Sequence, residues 1–280
     1  MELGIFAKTF PDLGAQASLT AVRQAGFSTA QFNLACLGLP SMSEVIGDDL
    51  AASIAVASRM SGVGIAAISG TYNMAHPDLA VRTRGTIRLT AMIESAHAMG
   101  TRLVTLCTGS RDADDQWRHH PENSSAAAWH DLLHEMERAI IVAEQHDVDL
   151  GIEPELANVV ASAADALHLI DTLQSSRIKI VLDPANLYER GPARERRDTI
   201  ERAVDALGDR IVMAHAKDRT EDGGFTAAGS GVIDFPHFIA ALRRNGFDGP
   251  LVTHGLAADE APAVAVFLRG VLAQQGVTIP

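Results

Sequence analysis

The sequence predicts a closed (β/α)8 barrel forming a single domain over residues 1–280. Short apolar runs and amphipathic stretches alternate eight times along the chain. The runs are apolar almost throughout, as in parallel strands covered on both faces, and do not alternate residue by residue. The length also suits this class, which typically needs ~250 residues.

Taken in order, "LGIFAK" (3–8) predicts the first strand and 16–25 a helix that stops at Gly26. "TAQFNL" (29–34) is followed by a helical pattern over 48–60, and "GIAAIS" (64–69) by one over 82–99 ending at Gly100. After "RLVTLCT" (102–108) comes "AWHDLLHEMERAIIVAEQH" (128–146). In it Trp129, Leu132, Leu133, Met136, Ile140 and Ala143 fall on one stripe at three- and four-residue steps. "VDLGIE" (148–153) precedes a helix at 162–174, and "IKIVLD" (178–183) one at 194–207 that ends at Gly208. "RIVMAHA" (210–216) leads to 235–245 with Gly246 behind it, and "PLVTH" (250–254) to 259–274. A doubly wound open sheet would call for a Gly-rich phosphate turn after the first strand, and "KTFPDLG" is a poor one.

Net charge narrows the function classes. With 35 acidic against 23 basic side chains the chain carries −12, which disfavours a general grip on nucleic acid or an anionic membrane. No apolar run reaches the ~18–20 residues of a membrane span. Cys36 and Cys107 have no metal-type spacing and suggest no disulfide framework, in keeping with a cytoplasmic setting. The start "MELGIFAKTF" lacks the pattern of a signal peptide.

In a barrel of this kind, chemistry gathers where strands end. The later four runs end at or near Glu153, Asp183, His215 and His254, each able to bind a divalent metal. Barrel closure would aim all four at one point. Two carboxylates and two imidazoles suit Mn²⁺, Co²⁺ or Zn²⁺, whereas Mg²⁺ prefers more oxygen. Such an ion can polarise a carbonyl and stabilise the charge developed when a proton leaves the neighbouring carbon, and a carboxylate beside it can take that proton. Glu153 is the candidate ligand or base, and Glu155, two residues on, a candidate for the same pocket or a loop cap.

Four stretches, "GIEPE", "IVLDPANLY", "VMAHAKD" and "GSGVIDFPHFIAALRRNGFDGPLVTHGL", together resemble the xylose-isomerase-like barrel superfamily, in particular its sugar phosphate isomerase/epimerase group. The resemblance extends over almost the whole chain. It is specific for the fold and less so for the reaction, because relatives include ketose 3-epimerases, aldose–ketose isomerases, inosose dehydratases and apurinic endonucleases. It implies a small carbohydrate substrate, with metal ligands at Glu153, Asp183 and His215. In those epimerases a Glu ends the last strand as fourth ligand and second proton carrier; here the position holds His254, as ligand and candidate proton donor. Several also carry a His shortly after the strand-end Asp, where this chain has Asn186 and then Tyr188. Lys217 could touch a substrate oxygen or pair with Asp218. An isomerase or epimerase is therefore expected, with a dehydratase-type lyase or a non-catalytic sugar-binding barrel as alternatives.

The long polar segment 108–123, "TGSRDADDQWRHHPEN", could fold over the site. Arg111, Arg118, His119 and His120 would then face the ligand and Trp117 would stack on a sugar ring; the segment could equally be a surface loop or a contact between copies in a homo-oligomer. Tyr72, Asn73 and His76 are further rim candidates. "GSG" (229–231) suggests a turn ahead of Asp234, a helix cap, although its amides could serve a phosphate. "HDLLH" (130–134) mimics a metalloprotease spacing but falls on the outer face of the barrel, and Cys107 reads as a buried apolar side chain.

Overall fold

The computed structural model describes residues 1–11 and 13–277. Eight parallel strands close into a barrel: β1 (Glu2–Phe6), β2 (Thr29–Phe32), β3 (Gly64–Ser69), β4 (Leu103–Leu106), β5 (Asp149–Ile152), β6 (Ile178–Leu182), β7 (Ile211–Arg219) and, last in the chain, β9 (Pro250–Thr253). Each pairs with its sequence neighbour, β7 pairs with both β6 and β9, and β9 returns to β1, so the parallel sheet has no free edge. The helices around it are α1 (Ala15–Gln24), α2 (Asp48–Ser61), α3 (Leu79–Ser95), α4 (Ala126–His146), α5 (Ala163–Leu173), α6 (Ala193–Leu207), α7 (Phe235–Arg244) and α8 (Ala261–Gln274).

Two cores hold this arrangement. Strand residues such as Leu3, Ile5, Leu150 and Ile180 face outward and join Leu19, Leu132, Met136, Leu169 and Leu268 in a continuous apolar layer under the helices. The barrel interior holds a smaller cluster, Phe6, Ala67, Leu103, Val181, Met213 and Val252. Side chains alternate along a strand, so this inner cluster forms a floor on which the inward residues at the strand ends stand.

Two elements differ most from the sequence expectation. Helix α3 begins earlier than 82–99 because the Asp78 side chain caps it by accepting from the Ala80 amide (2.8 Å), and it ends at Ser95. Strand β7 runs beyond 216 and forms an antiparallel hairpin with a short ninth strand outside the barrel, β8 (Phe225–Ala227), pairing Lys217 with Ala227 and Arg219 with Phe225. The apolar run suggested that the strand ends at Ala216; the polar residues beyond it continue the strand, and the Thr220–Gly224 turn returns the chain along it.

Asp218 shows why "GSG" is a turn and not an anion site. Its buried carboxylate accepts from the amides of Arg219 (2.8 Å), Ile233 (2.9 Å), Gly229 and Gly231 (3.0 Å each), taking up the donors a phosphate would need. Gly231 lies so close to this strand that a Cβ would come within 2.1 Å of the Arg219 carbonyl oxygen. Asp234 caps α7 as expected, accepting from the His237 amide. Among the described residues no helix is long and apolar enough to cross a membrane. The Asp218→Ala variant would leave several buried amides without an acceptor and is expected to lose about 3 kcal/mol of unfolding free energy in a denaturant titration. An unchanged midpoint would contradict this account.

Candidate metal centre

The four strand-end residues meet. One donor atom each from Glu153, Asp183, His215 and His254 lies within 4.8 Å of the others. His215 Nδ1 is 3.0 Å from Glu153 Oε1 and 4.0 Å from Asp183 Oδ2, while His254 Nε2 is 3.1 Å from Asp183 Oδ2. Phe6 forms the floor, stacking under the His254 ring at 4.5 Å and meeting His215 edge-on at 5.2 Å. Two carboxylates and two imidazoles this close, turned toward one another and away from bulk water, fit a divalent cation.

The charges are mutually balanced. Burial opposes ionisation of Asp183, but the Lys217 ammonium 3.4 Å away and the hydrogen bond from His254 hold its carboxyl far below the usual carboxylate range. Glu153 is likewise held low: burial works against it, and the field and hydrogen bond of His215 prevail. Burial pushes the His254 imidazole down to about 4, against the pull of Asp183, which leaves it neutral and ligand-competent at neutral pH. Glu155 behaves oppositely, pushed up to about 7 by burial and then by the Glu153 charge.

Around the cluster lies a pocket of ≈ 280 Å³ whose lining includes Phe6, Lys8, Gln31, Asn33, Trp117, Glu153, Glu155, Asn186, Lys217, Phe225 and His254. Asn186 donates to Glu153 Oε1 (2.9 Å) and accepts from Lys217 Nζ (2.8 Å), tying the β6 end to the β5 and β7 ends. Lys217 pairs with Asp183 across the pocket and not with its neighbour Asp218; its ammonium also sits 3.9 Å over the Phe225 ring. Trp117 and Phe225 are each about half exposed at the rim.

The other expected rim residues do not come into this pocket. Arg111 turns to Asp131 on α4 (2.7 Å) and to the Ala75 carbonyl, Arg118 stays within its own loop on Asp112, and His119 lines a separate cleft beside Trp129. His76 is buried as a staple between loops: Nδ1 accepts from the Asp78 amide and Nε2 lies 3.0 Å from the Ala113 carbonyl. With Tyr72 and Asn73 it lines an adjoining cleft of ≈ 580 Å³. For Arg111, Arg118 and His76, carboxylates, carbonyls or amides near each loop take up the polar head. His120 caps a short turn through the Glu122 amide. His130 and His134 are exposed on α4, and Cys107 is buried, its thiol donating to Asn158.

Residues the sequence reading missed include Phe6, Gln31, Ser69 and Thr105, all on the first four strands, and Phe225. The signal for three of them was present: Gln31, Ser69 and Thr105 are polar positions inside otherwise apolar runs. Phe225 had none, since it depends on the unforeseen hairpin.

Segment 108–123 is anchored from beneath by a buried network. Asp131 accepts from both Arg82 (2.9 Å) and Arg111 (2.7 Å), and Glu135, fully buried, accepts from the Tyr72 hydroxyl (2.8 Å) and from Thr86. In Asp131→Ala two arginines lose their shared acceptor, so faster amide hydrogen exchange is expected across 108–118 with the barrel strands still protected. Equal exchange in that segment would show that the network does not anchor it.

Comparison with known proteins agrees with this architecture. Residues 19–270 match the family model described as xylose isomerase-like TIM barrel. No curated protein matches the chain. Among solved structures, a 3-keto-D-glucoside 4-epimerase from E. coli superimposes with a TM-score of 0.77 at 15% identity, covering 96% of this chain and 99% of that one. A D-psicose 3-epimerase from Clostridium cellulolyticum H10, solved with D-tagatose, gives 0.74 at 16%, covering 97% and 99%. An L-ribulose 3-epimerase gives 0.75 at 20%, covering 98% and 93%. At these identities the likeness establishes the fold.

Proposed function

Because the chain belongs to the xylose isomerase-like TIM barrel family, we propose that it is a metal-dependent isomerase or epimerase of a small carbohydrate, a keto-sugar or a sugar phosphate. The observation that carries this reading is the convergence of Glu153, Asp183, His215 and His254 at the floor of one pocket. The rest of that pocket suits a polyhydroxylated ligand, with amides and an ammonium for its oxygens and exposed aromatic faces for its ring. The sugar epimerases that share the fold along their whole length favour the same substrate class.

The four residues would hold the ion, manganese, cobalt or zinc in preference to magnesium. When bound, a divalent ion supplies Lewis acidity at a carbonyl oxygen and so acidifies the adjacent C–H. Glu153 is placed to take that proton. Its Oε1 is engaged by His215 and Asn186, while Oε2 receives no hydrogen bond from any described residue and belongs to a pocket-lining side chain. Lys217 and Asn186, already linked to each other, would orient the substrate oxygens, and Trp117 with Phe225 would cover the ring. For the returning proton the pocket offers His254 and Glu155; the Glu155 carboxylate takes no hydrogen bond from the described residues, whereas His254 is engaged with Asp183.

In heavy water, a turned-over keto-sugar is expected to gain deuterium at the carbon beside its carbonyl, with unchanged product mass in ordinary water. A product lighter by one water would instead mark a lyase. Glu153→Gln should lower this exchange at least ~100-fold, and full exchange in a folded variant would remove Glu153 as the base. Comparing Glu155→Gln with His254→Asn assigns the second step: the variant that still exchanges the C–H but no longer inverts the centre has lost the returning donor. If both variants invert normally, neither residue is that donor.

A further inference from the structure

Gln31, on β2 and nearly without exposure, makes three contacts to three other strands. Its Nε2 donates to Ser69 Oγ on β3 (3.0 Å) and Thr105 Oγ1 on β4 (3.1 Å), and its Oε1 lies 3.1 Å from His215 Nε2 on β7. A primary amide has two hydrogens, and here each finds a hydroxyl acceptor, which leaves the oxygen for the imidazole. An oxygen at that place takes a proton from Nε2. The ring's other nitrogen, Nδ1, faces Glu153 and Asp183 and is the atom that would bind an ion.

The reverse orientation of the amide would have the opposite consequence. It would set an NH₂ group against Nε2, favour a bare nitrogen there, and put the proton on Nδ1, where it would block ligation. His215 is itself buried, so water cannot easily substitute for the missing partner.

We propose that Gln31 is a positioning residue for the metal centre: by accepting the Nε2–H of His215 it keeps that proton on Nε2 and holds Nδ1 toward the ion, which would displace the proton Nδ1 now shares with Glu153 Oε1. The hydroxyls of Ser69 and Thr105 in turn hold the amide in that orientation, so four strands of the barrel contribute to the aim of one ligand. This inference rests on the metal reading of the four-residue cluster but not on the reaction assigned to it.

The test is titration of metal-free protein with Co²⁺, followed by calorimetry and by the visible absorption of the bound ion, which reports its ligand geometry. Gln31→Leu, which removes the acceptor, is expected to weaken binding about 10- to 100-fold and to alter the spectrum. Gln31→Glu keeps an acceptor oxygen and is expected to bind within a few-fold of the unsubstituted protein. If Gln31→Leu does not fold, the Ser69→Ala/Thr105→Ala pair releases the amide while leaving Gln31 in place, and weaker binding is again expected. Unchanged affinity and spectrum in a folded Gln31→Leu, or in that pair, would overturn the positioning role. No Co²⁺ binding by the unsubstituted protein would overturn the metal reading itself, and this inference with it.

Discussion

A carboxylate buried as fully as that of Asp183 must have its charge compensated from within the protein, and the groups that do so make up the site. Lys217 lies to one side of it, His254 reaches the same oxygen from β9, and His215 approaches from β7 with Glu153 behind it. These partners come from three strands: His215 and Lys217 from β7, Glu153 from the end of β5 and His254 from the end of β9. The geometry therefore exists only when the barrel is closed, because closure brings β9 against both β1 and β7. The same clustering that would be costly for four polar side chains at random suits a cation.

Rigidity at the floor contrasts with the way the rim is assembled. Phe6 belongs to the inner apolar cluster and stacks against the imidazoles, so the core directly supports the site. Trp117 is carried by a loop and Phe225 by the outer hairpin, and each is tied down by polar contacts away from the pocket: Arg111 to Asp131 for one, Asp218 with its four amides for the segment next to the other. Arg111, Arg118 and His120 thus shape the pocket by holding the segment that carries Trp117, while their own polar heads are used outside it.

This division explains what could be read from the sequence. The eight barrel strands and eight helices were legible because apolar runs and helical stripes follow local periodicity, and Glu153, Asp183, His215 and His254 stood out as polar endings of such runs. Gln31, Ser69 and Thr105 offered the same contrast within the first four strands. Their role needed the closed barrel, which brings residues far apart in sequence within hydrogen-bonding reach of one another. Which way Arg111, Arg118, His76 or His119 would point was not legible, because composition marks a polar loop but its side-chain direction depends on buried partners such as Asp131 and the Ala113 carbonyl. The β7–β8 hairpin was hidden for a related reason: a strand that leaves the barrel no longer has the apolar pattern of one inside it.

Elemental analysis of protein purified without chelators or an affinity tag shows whether the four strand ends form a metal centre. About one manganese, cobalt or zinc ion per chain is expected, lost on changing Asp183 to Asn. Protein that is metal-free as purified, and that stays so after these ions are added back, would contradict it.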